Sequence, residues 1–175
     1  MNDATDRAAN VRLVAFDVDG VLTDGGLYVG DNGVEYKAFY SRDGHGMRML
    51  MDSGIDIGII TGRTSQLVGD RMKSLGVKHV YQGHREKRPA FESLMEATGY
   101  SAEEIAFVGD DVMDLPVMRC AGLAIAVADA HPLVVEHAHW QTPNPGGRGA
   151  VRDVCELVMK AQGRLDAVFR AYTEA

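Results

Sequence analysis

Leu13–Phe16, Ile55–Ile60, Ile105–Val108 and Leu123–Val127 are short apolar runs rich in β-branched residues, and stretches of helical periodicity fill the spaces between them. Runs of this length are too short to span a bilayer and read instead as buried parallel strands. Lys78–Tyr81 is a weaker candidate for a further strand. Between the runs, Val68, Met72 and Leu75 recur at i, i+4 and i+7 within Thr64–Leu75, and Gly76 supplies a stop. Glu86–Thr98 carries Phe91, Leu94 and Met95 on one face and ends at Gly99, and Gly149–Ala161 reads as a last amphipathic helix. Strand alternating with helix predicts an α/β fold, a Rossmann-like doubly wound, mainly parallel sheet covered on both faces.

The expected organisation is a disordered polar tail over residues 1–10, one domain over 11–163 and a C-terminal tail over 164–175. One insertion interrupts the alternation. LYVGDNGVEYKAFY reads as two short strands around Asp31-Asn32-Gly33, a β-hairpin within residues 25–40. It sits where a doubly wound fold goes straight to a helix, and that helix is expected only after Asp43. Too short for a core of its own, the hairpin must lie on its own domain or on another subunit.

A net charge of −7 argues against nucleic-acid or anionic-membrane partners but leaves room for a small anion held by a local basic cluster. Cys120 and Cys155 are isolated, which predicts buried free thiols rather than a disulfide or zinc site. MNDATDRAAN lacks the apolar core of a signal peptide, so a cytoplasmic protein is expected.

Ligands of open α/β sheets bind beyond the carboxyl ends of the strands. Asp17 and Asp19 follow the first run, Thr61, Gly62 and Arg63 the second; Lys87 comes shortly after Tyr81, and Asp110, Asp111 and Asp114 follow Gly109. Turn or cap aspartates account for Asp31 or Asp56. They do not account for reactive groups at the end of strand after strand. Two carboxylates closing a buried strand require a cation nearby to offset their desolvation.

FDVDGVLTD, IITGR, Lys87 and VGDDVMD resemble the four motifs of the haloacid dehalogenase superfamily of phosphotransferases. The resemblance implies Asp17 as nucleophile, Asp19 as acid–base that also contacts substrate, and Thr61 and Lys87 as groups that hold the phosphoryl oxygens. It implies Mg²⁺, bound by the side chains of Asp17 and Asp110 and by the backbone carbonyl of Asp19. Of Asp111 and Asp114, one supports the metal shell or orients Lys87, and the other caps the next helix.

The chain has no room for a separate cap domain. Over Val11–Gly163, KAFYSRDGHGMRML, AVADAHPLV and GGRGAVRDVCELV are similar to the capless branch, the 3-deoxy-D-manno-octulosonate 8-phosphate phosphatases. That similarity implies hydrolysis of the sugar-acid phosphate in lipopolysaccharide core biosynthesis. It places Tyr40, Ser41, Arg42, Asp43 and Gly44 in a substrate-contacting loop, with Arg48, Arg63 and Arg71 as basic contacts suited to a substrate that has a carboxylate besides its phosphate. It also implies a homotetramer with hairpins at its centre, a flexible lid at Pro143–Gly149, and contact of Arg148 with substrate in an adjacent subunit. His45 reads as a loop histidine, and His131 leads into a short helix opened by Pro132. Two other readings stand beside this one: a phosphatase for a nine-carbon sialic-type acid phosphate, and a noncatalytic oligomerisation module.

Overall fold

Residues 13–16 alternate in the direction they face, which fixes the layering. Val14 and Phe16 enter one apolar cluster, Leu13 and Ala15 the other, so strand β1 (Leu13–Phe16) is buried on both sides. In the computed structural model, which describes residues 3–174, β1 pairs in parallel with β4 (Asp56–Ile60) and β6 (Ile105–Gly109). β5 (His79–Tyr81) extends the sheet beyond β4; β7 (Leu123–Ala126) and β8 (Trp140–Gln141) extend it beyond β6. The six-stranded order β5-β4-β1-β6-β7-β8 is wholly parallel. The chain winds outward from β1 in one direction and then returns to its other side, so the switch point lies between β1 and β6.

Helices α2 (Ser41–Asp52), α3 (Gln66–Leu75) and α7 (Ala150–Ala161) cover the face of Phe16. Helices α4 (Lys87–Thr98), α5 (Leu115–Met118) and α6 (Pro132–His137) cover the face of Leu13. Helix α3 stops at Gly76 and α4 at Gly99, both left-handed, as their sequence positions predict. Helix α2 starts at Ser41, before the expected point, and includes His45. His131 caps α6 by accepting from the Leu133 N–H at 3.1 Å. Cys155 is fully buried, whereas Cys120 is only partly so.

The insertion forms a short antiparallel ladder, β2 (Tyr28–Val29) against β3 (Glu35–Tyr36), turning at Gly33. Leu27, Tyr28, Val29, Val34 and Tyr36 are exposed on it.

Both termini differ from the expected tails. Residues Asp3–Ala8 form α1, because Ala4 and Ala8 are small enough to seat fully in the core cluster that α7 completes; residues 1 and 2 lie outside the described residues. Leu165–Thr173 form α8, an amphipathic helix that rests Leu165 and Val168 on the same cluster. No helix among the described residues is long and apolar enough to cross a membrane.

Candidate active site

Phe16 lies in register with Val108, so the residues that follow β1 and β6 emerge side by side. The Asp17 N–H donates to the Val108 carbonyl at 3.0 Å, and Asp110 leaves β6 one residue after Gly109. Two glycines remove the bulk that would hold these chains apart. Gly20 has φ +92°, and a Cβ there would collide with the Asp110 carboxylate. A Cβ at Gly109 would stand 2.6 Å from Asp114. The close approach brings one carboxylate oxygen each of Asp17, Asp110 and Asp114 within 4.8 Å of the others.

Lys87, the first residue of α4, is buried against two of them. Its Nζ donates to Asp114 Oδ1 at 2.6 Å and pairs with Asp17 Oδ2 at 2.8 Å. Asp114 Oδ2 accepts from the N–H groups of Asp110 and Asp111 at 3.0 and 3.2 Å. Asp114 therefore spends both oxygens inside the protein, orienting Lys87 and the loop after β6. Asp111 is exposed and caps the following turn, accepting from the Val112 N–H at 2.7 Å.

Asp17 Oδ1 and Asp110 Oδ1 are different: both are buried with no hydrogen-bond partner among the described residues. Such atoms are rare because each forfeits its hydration. Burial pushes Asp110 up to about 8, with the Asp114 and Asp17 carboxylates adding to it. Burial pushes Asp17 up to about 6, against the opposing pull of Lys87. Burial pulls Lys87 down, but Asp114 and Asp17 together outweigh it and hold the ammonium above its ordinary range. Fully ionised, three carboxylates beside one ammonium would carry two uncompensated negative charges, and two of their oxygens have no hydrogen-bond partner among the described residues. A hard divalent cation that takes oxygen ligands fits the donor set.

Asp17, Asp19, Thr61, Arg63, Lys87 and Asp110 line one open cavity of about 300 Å³. Thr61 is buried at the end of β4, and its loop is tied to the next one by bonds from His84 N to Thr61 O and from Gly83 N to Arg63 O. Arg85 and Met113, which motif reading passed over, also line this cavity. Asp19 contacts Lys37 of the hairpin, and Arg63 Nη2 donates to Glu35 Oε1 at 2.8 Å. Sequence reading missed Lys37 and Glu35. Their signal is two charges at i and i+2, on one face of a strand whose other face is apolar.

The expected substrate loop lies elsewhere. Tyr40, Asp43, Gly44 and Arg71 line a separate small hollow between α2 and α3. The Asp43 carboxylate is turned inward, accepting from the N–H groups of Arg152 and Gly149 at 2.9 and 3.3 Å, so in this chain both of its oxygens brace the start of α7. Arg71 lies over Phe39, with 5.9 Å from guanidinium to ring centroid, and Arg48 donates to Leu75 O at 2.9 Å. Ser41 and Arg42 are exposed at the start of α2. Arg148 is also exposed, with Nη2 4.0 Å from Asp24 Oδ2.

Pro143–Gly149, expected to be a free lid, is a docked loop. The Gly147 N–H donates to Val21 O at 2.9 Å, Gly146 N–H to Asp129 Oδ1 at 2.9 Å, and Asn144 N–H to Asp153 Oδ2 at 3.1 Å. Gly146 presses so closely on the Gly20 carbonyl that no side chain fits between them.

A family model for haloacid dehalogenase-like hydrolases matches residues 79–152, the stretch from β5 into α7. The 3-deoxy-D-manno-octulosonate 8-phosphate phosphatase KdsC of Escherichia coli K12 is 52% identical over 164 residues, spanning 94% of this chain and 87% of its own. The crystal structure of the Yersinia pestis 3-deoxy-D-manno-octulosonate 8-phosphate phosphatase superimposes with a TM-score of 0.93 at 50% identity, covering 94% of this chain and 89% of that one. The Moraxella catarrhalis 3-deoxy-D-manno-octulosonate 8-phosphate phosphatase, solved in complex with magnesium ion, phosphate ion and KDO, superimposes with a TM-score of 0.96 at 41% identity, covering 98% and 99%. Identity of this order over nearly the whole chain makes it a member of the 3-deoxy-D-manno-octulosonate 8-phosphate phosphatase family of haloacid dehalogenase-like hydrolases.

Proposed function

We propose that the chain hydrolyses 3-deoxy-D-manno-octulosonate 8-phosphate to the free sugar acid and inorganic phosphate, with Asp17 as the nucleophile. The supporting observation is the state of Asp17: one oxygen is held by Lys87, and the other is buried beside Asp110 with no hydrogen-bond partner among the described residues. Asp17 attacks phosphorus in line. As the Asp17–phosphorus bond forms, the ester P–O bond breaks, and its electron pair goes to the leaving sugar oxygen, which takes a proton from Asp19. Water then attacks the aspartyl-phosphate, gives its proton to Asp19, and the P–O bond electrons return to Asp17. Thr61 donates to a phosphoryl oxygen, and Lys87 balances charge on Asp17 and the phosphate. Asp17 and Asp110, with the Asp19 backbone carbonyl, would hold Mg²⁺, which when bound neutralises the clustered carboxylates and the phosphate. Arg63 takes the substrate carboxylate.

Tyr40, Ser41, Arg42, Gly44, Arg48, Arg71 and Arg148 serve a neighbouring subunit's substrate in a homotetramer. Two features support this: the separate hollow that Tyr40, Gly44 and Arg71 line, and the apolar residues that the hairpin exposes. We place the protein in the cytoplasm, in lipopolysaccharide core biosynthesis. The test is phosphate release from the eight-carbon acid phosphate, a nine-carbon sialic-type acid phosphate and simple hexose phosphates, with and without Mg²⁺. Preference for the eight-carbon ester, lost by at least about 10³-fold in Asp17→Asn, is the expected result. Full activity in Asp17→Asn would refute the mechanism.

A further inference from the structure

A lysine ammonium is costly to bury unless it meets an anion. Lys37 lies one residue past β3 on a hairpin with no core of its own, yet its side chain is only 1% exposed. A lysine that merely covered apolar surface would keep its head in water. Here Nζ contacts Asp19 Oδ1 and lies 3.5 Å from Glu35 Oε1. Glu35 Oε1 also accepts from Arg63 at 2.8 Å, and Arg63 Nε stands 3.9 Å from Asp19 Oδ2. With Asp19 ionised, as it is once its proton has gone to the leaving oxygen, two cations and two anions close a ring with no net charge. Asp19 and Arg63 contribute from the cavity wall, Glu35 and Lys37 from the flap.

We propose that Lys37 is a positioning residue for proton transfer in the phosphatase reaction, fixing the Asp19 carboxyl through Oδ1 so that Oδ2 stays on the Arg63 side of the cavity for the leaving oxygen. The inference rests on the reading of Asp19 as acid–base. It makes the hairpin part of the chemistry as well as a candidate subunit contact: the flap must be seated for Asp19 to be aimed. Proton delivery matters for an alkyl leaving group, which departs poorly as an alkoxide. It matters little for p-nitrophenolate, which departs without a proton.

The experiment compares these two leaving groups in the full-length, Mg²⁺-saturated protein. For Lys37→Met, kcat on the sugar-acid phosphate is expected to fall about 10²-fold, with KM within about threefold. The pre-steady-state burst of p-nitrophenolate from p-nitrophenyl phosphate should stay within about threefold of the parent protein. Lys37→Arg, which keeps a cation on a similar stem, should recover about tenfold of the loss. Lys37→Gln carries the same comparison where Lys37→Met does not fold. Equal losses on the two esters, or no loss on either, would overturn the proposal by reducing Lys37 to an anchor. Asp19→Asn separates the two failures. If it shows the ester-selective loss and the Lys37 variants do not, only Lys37 is misassigned; if it does not, the acid–base reading falls as well.

Discussion

Asp43 gives both of its oxygens to the first turn of α7, supplying from α2 the cap that Gly149, at the N-cap position, has no side chain to make. Burial nonetheless pushes its carboxyl up to about 6, so the folded protein holds this proton more tightly than the unfolded chain does. Between about pH 4 and pH 6 the folded state is the one with more protons bound, and stability falls as pH rises through that window. The contribution from pH 4 to pH 7 is on the order of 2 kcal/mol. Denaturant melts of Asp43→Asn across this range should show a shallower decline than the parent, because one titrating group is gone. An unchanged slope would mean that Asp43 ionises freely in the fold. Asp110, pushed up to about 8 by burial and its acidic neighbours, makes the complementary case. Asp110→Asn should weaken Mg²⁺ binding at least about a hundredfold by calorimetry, since even supporting residues of metal sites commonly account for that much. The metal-free variant should also melt higher than the parent at pH 9, where the parent must ionise a crowded carboxyl.

At the level of elements, the sheet was legible because a buried parallel strand has to be a short apolar run, and Leu13–Phe16 and Ile105–Gly109 have no other reading as good. The residues that line the cavity at the ends of β1, β4 and β6 were legible for a related reason, since Asp17, Thr61 and Asp110 come at the ends of apolar runs. Lys37 and Asp43 were not, because each acts through a partner distant in sequence, and no local pattern reveals an ion pair across eighteen positions or a cap supplied from another helix. Helices α1 and α8 were missed because few residues tie them down: Ala4 and Ala8 for one, Leu165 and Val168 for the other. The same contrast predicts how truncations behave. Val151, Val154, Cys155 and Val158 of α7 are fully buried, so a chain ending at Thr142 loses part of the core and should not fold. Its inactivity would say nothing about a lid. A chain ending at Arg164 loses only α8, which buries no residue fully, and should fold with a melting temperature a few degrees lower, as ~1–2 kcal/mol does in a domain of this size. Collapse of the shorter truncation alone, seen by circular dichroism, is the expected pattern; collapse of both would make α8 part of the core.

For the whole molecule, the question is why one chain carries its acidic cavity and the Tyr40–Gly44 loop in places that do not meet. Arg71 faces Phe39 and lines a hollow beside α2, while Asp17 and Lys87 line the cavity beyond β1 and β4. The proposed homotetramer would reconcile the two sets, because a heterologous contact presents one subunit's loop to the next subunit's cavity at every interface. The hairpin has the surface for such a contact, with Val29 63% and Tyr36 60% exposed on a ladder of two-residue strands. The arrangement predicts complementation. On the proposed reading Asp17→Asn removes the nucleophile and Arg71→Ala the contact with a neighbour's substrate, so each variant assembled alone should be impaired. When the two are dissociated and reassembled together in equal amounts, roughly a quarter of the sites combine an intact Asp17 with a neighbour's intact Arg71. Phosphate release should then recover to about that fraction of the parent rate, and dilution below the assembly threshold should abolish the recovery. If Arg71 instead served its own subunit's cavity, mixing would restore nothing, since no site would hold both intact residues. Recovery on mixing is therefore the measurement that tells a shared site from a self-contained one.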